Sequence, residues 1–320
     1  MTILNSAGDP SGAFGLRPGF FRLPFAWSEQ SFREILARSF FLFLLIGAVV
    51  ILLLVLLLLG REAFPMLFEG SGLWGLLVAD PWEPLSRPAR FGVRHAWIST
   101  LTVTSIALAV AAPVGFGIGI FLAEIAPAMM RRLLQPCLES LAGIPSVVYG
   151  FFGYVTLVPW FERTFDMPTG ESLLVAGVIL AVMVLPFIAT TSAEALGAVP
   201  DDVKEAALAL GVNRWYLTHR VLIRHAASGM FAAAALGLAR ALGETLAVLM
   251  LAGNSVAVPG SLLDRGQPIT ALMITELGEA GVGSAKQHAL FAAALLLMIV
   301  VIAINALIGL LKKKMIYAAT

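Results

Sequence analysis

Charge is scarce in this chain. Only 13% of its 320 residues are Asp, Glu, Lys or Arg, where a soluble domain carries about 25%. Cysteine is scarcer still: Cys137 stands alone, which excludes an internal disulfide and a cysteine-rich metal site. We expect it to be a small buried apolar residue. No Gly-Lys pair occurs, so there is no P-loop and no nucleotide site of that kind. HExxH, CxxC and GxSxG are also missing. The four histidines (95, 219, 225 and 288) lack ligand spacing, so no metal site is expected. Net charge is only +1, which argues against a nucleic-acid partner.

What is abundant is apolar sequence. Hydrophobic residues make up 59% of the chain, and the mean hydropathy is +0.91. The excess falls in blocks of about twenty residues, enough to cross a hydrocarbon core of roughly 30 Å. An all-α integral membrane protein follows, with membrane lipid as its surroundings.

No secretory signal reads at the start. The first apolar block begins only at Phe40, and Phe20 and Phe21 are cut off by Arg22 and Pro24. Six spans are expected: Phe40–Leu59, Ile98–Ala123, Leu138–Trp160, Leu173–Ala193, Ala226–Gly253 and Ala289–Leu311. Residues 1–39 read as a cytoplasmic tail, rich in Gly and Pro, with a lead-in helix opened by the capping box Ser31-Phe-Arg-Glu34. Residues 40–311 form the membrane domain, and 312–320 a second cytoplasmic tail. Residues 60–97 read as a long loop whose apolar stretch Leu73–Val78 is too short to cross. Segments on the two termini's side carry 13 Lys and Arg, those on the other side 7. The positive-inside rule puts both termini in the cytoplasm. Against that trend, Arg87, Arg90, Arg94 and His95 cluster outside. They read as lipid-headgroup contacts or as an anion funnel.

The spans carry unusual residues. The second holds Ser99, Thr100, Thr102, Thr104 and Ser105, then Pro113 and glycines 115, 117 and 119. Small and hydroxyl residues favour close helix packing. Pro145 and Pro186 fall inside spans three and four and read as tolerated kinks or as hinges. Arg240 falls near the middle of span five, where charge costs roughly 2.5–3.5 kcal/mol on insertion scales. Glu244 is four residues on, so a continuous helix would put the two on one face as an ion pair. Gly243 between them suits either close packing or local unwinding.

The 194–225 loop is the most structured. Pro200, Asp201 and Asp202 start a helix, Gly211 ends it, and Asn213 caps the next turn. Physics alone reads a helix lying on the membrane surface. The residues also resemble a known motif. Glu205-Ala206-Ala207, three residues, Gly211, then Val221-Leu222-Ile223 is similar to the EAA loop of ATP-binding-cassette importer permeases. That pattern ends in Pro, where this chain has Arg224. Ile144-Pro145-Ser146-Val147-Val148-Tyr149-Gly150 and Leu238-Ala239-Arg240-Ala241-Leu242-Gly243-Glu244-Thr245 resemble phosphate importer permeases. After Glu244-Thr245 the chain continues Leu-Ala-Val and reaches Asn254, like the PstC subunits; the PstA subunits more typically have Ala-Pro there. Phe121–Pro127 and Ile269–Glu279 are also similar to PstC. The likeness covers roughly residues 95–310.

The resemblance implies a type I ABC importer permease fold in a bacterial inner membrane, and phosphate as cargo. Partners would be a PstA-like permease, two copies of a PstB-like ATPase and a PstS-like binding protein. ATP and Mg would be used by the ATPase; this chain needs no cofactor and is not itself an enzyme. Glu205, Ala206, Ala207 and Gly211 would form the coupling helix that docks into the ATPase. Arg240 and Glu244 would line the anion path. An importer of sulfate or molybdate is the nearest alternative. A secondary transporter is a more distant one, since no clear repeat is visible and Glu244 is the only carboxylate in mid-span.

Overall fold

The computed structural model describes residues 30–69, 72–79 and 81–319. The expected tail up to residue 29, the Ser31 side chain of the capping box and the side chains of Lys312–Lys314 lie outside the described residues. Among the described residues, those up to Leu54 and those from Val55 onward form two units.

Helix α1 spans Gln30–Phe64. Leu and Phe are exposed on all its sides between Phe40 and Leu58, as befits a helix immersed in acyl chains. From Pro65 the chain makes two π-helical turns, Pro65–Glu69 and Gly75–Ala79, then a small hairpin. Its strands β1 (Trp82–Glu83) and β2 (Arg90–Phe91) pair antiparallel, with Trp82 opposite Phe91. Leu76, Trp82 and Phe91 are buried in a cluster that includes Ile269, Leu290 and Ala293. The expected loop at 60–97 is therefore a packed cap.

Helix α2 runs Arg94–Ile120 and ends in a π-helical segment, Phe121–Ile125. Helix α3 is Ala128–Gly143 and α4 is Ser146–Phe165. They meet at 91°, which corrects the expected continuous span Leu138–Trp160. The cause is local. Pro145 forces the preceding Ile144 into extended backbone (φ −67°, ψ 130°) and takes the N-cap of α4, where its missing N–H costs nothing. The Tyr149 hydroxyl donates to the Leu141 carbonyl at 2.9 Å across this corner. Cys137 lies exposed on α3, not buried as expected.

Helix α5 (Leu173–Gly197) is continuous through the buried Pro186. Its contact with α2 is the most extensive between any two helices. Glycines at i and i+4 explain the approach. A Cβ on Gly115 would lie 2.9 Å from Ile188 Cγ2, and one on Gly119 would lie 2.7 Å from Ser192 Cβ. Gly117 faces open space.

Helix α6 is Asp201–Ala209, followed by a single turn, Arg214–Tyr216, and a π-helical segment, Leu217–Leu222. Helix α7 (Ile223–Leu242) stops early, and α8 covers only Leu246–Leu251. The expected span Ala226–Gly253 is thus broken at Gly243–Thr245. A Cβ at Gly243 would meet nothing closer than the Ala239 carbonyl at 3.7 Å, so this glycine accompanies unwinding and not tight packing. Residues 252–268 return as a loop whose Asp264 and Leu262 carbonyls accept from the Leu173 and Leu174 amides, groups that a helix start leaves unsatisfied. Helix α9 is Ile269–Leu277 and α10 is Ala285–Ala319. Among the described residues, five helices are long and apolar enough to cross a membrane, or six when α3 and α4 count as one bent span.

Candidate functional site

Arg240 lies in the last turn of α7, where a cation meets the negative end of the helix dipole favourably. Its Cζ sits 4.1 Å from the centre of the Phe187 ring on α5, a cation–π contact. Among the described residues no carboxylate lies within 4.0 Å of it. This corrects the expected Arg240–Glu244 ion pair. The i, i+4 argument needs a continuous helix, and α7 ends at Leu242. Glu244 sits half-buried beyond the break. Its backbone carbonyl accepts from the Thr270 hydroxyl at 2.7 Å, which moors the unwound segment to α9.

Arg240 is exposed, as is Leu236 one turn earlier on the same side of α7. An exposed arginine inside a span cannot rest against acyl chains without a large cost. Arg240 therefore needs a polar or aqueous neighbour. Phe187 also lines a cavity of about 370 Å³ at the far end of α2 and α5, together with Arg131, Gln135, Glu139, Thr190 and Glu194. Phe187 thus touches both Arg240 and that cavity.

The two prolines differ. Pro145 forms the corner between α3 and α4; Pro186 is buried within an unbroken helix. The Ile144–Gly150 motif has a packing role as well: a Cβ on Gly150 would lie 2.9 Å from Ala247 Cα on α8.

The 194–225 loop folds as its caps dictate. Asn213 Oδ1 accepts from the Tyr216 amide at 2.7 Å, and Gly211 turns the chain at φ +78°, a conformation glycine adopts freely. Val203 and Ala207 pack on Leu196, Leu217 and Leu222. Glu205, Ala206 and Gly211 are exposed, and so are Leu208, Leu210, Trp215 and Tyr216. The outward side of this loop therefore presents apolar surface of the kind that partners cover.

Sequence reading missed one ion pair here. Lys204 Nζ on α6 lies 3.0 Å from Glu124 Oε1 at the end of α2. The available signal was Glu124 at a helix C-terminus and Lys204 in a first turn, each at the unfavourable pole of its helix. The basic group ahead of the second expected span is split: His95 is buried in the first turn of α2, while Arg87, Arg90 and Arg94 are exposed.

Comparison with known proteins places this geometry. Residues 115–317 match the model of the binding-protein-dependent transport system inner membrane component. A probable ABC transporter permease protein, YqgH, of Bacillus subtilis is 36% identical over 75% of this chain and 77% of its own length. The phosphate transport system permease protein PstC of Haemophilus influenzae is 32% identical over 86% of this chain and 90% of its own. A crystal structure of a bacterial ABC transporter involved in import of the polysaccharide alginate shares the fold at TM-score 0.59. Its sequence is 12% identical, and the match covers 89% of this chain and 99% of that one. The chain belongs to the binding-protein-dependent transport system inner membrane component family, as a multi-pass permease subunit of an ABC importer.

Proposed function

We propose that this chain is a membrane subunit of an ATP-driven importer of inorganic phosphate and forms half of its translocation pathway. The observation that carries the reading is Arg240: a guanidinium inside a span, exposed, held over Phe187 and free of any carboxylate within 4.0 Å among the described residues. A planar guanidinium offers paired donors that match a phosphate. The relatives named as phosphate transport permeases support the same cargo. Glu244, beside the break, serves as a filter. Monohydrogen phosphate has a proton to donate to a carboxylate, and sulfate has none.

A second permease, PstA-like, completes the pathway opposite Arg240. A pair of PstB-like ATPases docks on the loop bearing Glu205, Ala206, Ala207 and Gly211, using ATP and Mg. A PstS-like protein delivers phosphate on the outer side. Both termini lie in the cytoplasm, as the 13 to 7 distribution of Lys and Arg supports. Purification of the tagged chain from its native membranes tests the assembly. A chain with a Walker motif and a second permease are expected in the preparation, and their reproducible absence would overturn the reading.

A further inference from the structure

The 194–225 loop can transmit motion only if it is fastened to the spans. Two kinds of contact fasten α6. Val203 and Ala207 pack into the cluster formed by Leu196, Leu217, Leu222 and Met230, with Ile120 and Ala123 of the α2 end against the same cluster. Lys204 then reaches across 80 positions of sequence to Glu124, with Nζ and Oε1 3.0 Å apart.

The ion pair has three unusual features. It is sheltered: the Lys204 and Glu124 side chains are only 22% and 14% exposed, so solvent screens it less than a surface pair. Each charge sits at the wrong pole of its own helix. Glu124 lies at the C-terminal end of α2, and Lys204 lies in the first turn of α6. Neither position is favourable alone, and each charge offsets the other's. Finally, Glu124 stands in a π-helical segment, Phe121–Ile125, closed by the Ala126 amide bonding to the Phe121 carbonyl at 2.7 Å. Such segments are rare and cluster at functional sites. Arg131 Nη2 donates to the Ala123 carbonyl at 2.8 Å, so the α2 end is tied on its other side to α3. The second Lys204 contact, to Asp201 at 3.8 Å, involves a carboxylate that is 87% exposed and adds little.

We infer that Lys204 and Glu124 are positioning residues that lock α6 to the end of α2, so that a push on α6 from the ATPase is delivered to the α2–α5 pair that carries Phe187. This rests on the proposed reading of α6 as the ATPase docking helix. The pair belongs to the transmission path and not to the docking surface, because it faces the spans while Glu205, Ala206 and Gly211 face outward.

The test uses the whole complex, purified with its ATPase and reconstituted in proteoliposomes, and measures phosphate moved per ATP hydrolysed. Lys204→Met and Glu124→Gln should keep the ATPase bound and hydrolysing, while the transport ratio falls at least about fivefold, the lower end of typical coupling effects. The exchanged pair, Lys204→Glu with Glu124→Lys, should recover most of the ratio. Simple destabilisation would lower the yield of complex without changing that ratio. If a single variant fails to assemble, the exchanged pair decides. Recovered assembly and coupling support the lock, and an exchanged pair that assembles with a ratio at least about fivefold below that of the unaltered complex overturns it. Single variants with an unchanged ratio also overturn it. An unaltered complex that lacks an ATPase would instead sink the docking reading, and the role of the pair with it.

Discussion

The Arg240 Cζ lies 4.1 Å from the centre of the Phe187 ring. The two belong to different helices, α7 and α5, and the contact supplies what Glu244 does not. A ring face stabilises a guanidinium while leaving its in-plane N–H donors free for another ligand.

Loss of that ring should weaken the site without removing its charge. A cation–π contact contributes about 0.5–2 kcal/mol. Phe187→Leu should therefore raise the KM for phosphate by roughly 2- to 30-fold, and Phe187→Tyr should leave it near normal. Uptake curves in whole cells measure this. Equal KM values for the Leu and Tyr variants would show that the ring plays no part.

Glu244 is assigned to selectivity. Glu244→Gln should let sulfate compete with phosphate uptake where the unaltered protein resists it. Competition curves that superimpose for the two proteins would remove the filter role.

The packing of α2 on α5 predicts a sharp contrast between glycines two positions apart. Gly119→Ala puts a methyl 2.7 Å from Ser192 Cβ and 3.0 Å from the Ala189 carbonyl. Overpacking of this kind costs about 1–3 kcal/mol. Gly117→Ala meets nothing within 4 Å and should be neutral or stabilising by up to about 1 kcal/mol. Thermal unfolding of the purified variants in detergent should rank them in that order, and the reverse order would contradict this packing.

Gly211 turns the 194–225 loop at φ +78°. A β-branched residue there is strained by roughly 1–2 kcal/mol. Gly211→Val should reduce the ATPase recovered with the complex, and Gly211→Asn should reduce it less. Equal recovery for both would show that the turn does not shape the docking surface.

Much of this was visible in the sequence, and the failures share a cause. Apolar runs located the spans, and the caps at Pro200, Asn213 and Gly211 gave the loop helices, because both signals are local. The breaks at Ile144-Pro145 and Gly243–Thr245 were left open, Pro145 as a kink or hinge and Gly243 as packing or unwinding, since hydropathy continues across them. Membrane helices also tolerate proline and glycine; Pro186, inside an unbroken α5, is the proof. Once α7 stops at Leu242, the helical spacing that would have paired Arg240 with Glu244 no longer applies. Gly115 and Gly119 could be read as packing residues, but their partner on α5 could not. Nor could Lys204–Glu124, a contact across 80 residues that no periodicity encodes.

Arg240 is the residue proposed to carry the anion. Uptake of radiolabelled phosphate by cells bearing Arg240→Gln tests it most directly, with the amount of assembled complex measured in parallel. Uptake should fall at least about tenfold, the effect of losing a charge-assisted bond worth about 1.5–3 kcal/mol, while assembly is unchanged. Normal uptake by a normally assembled Arg240→Gln complex would contradict it.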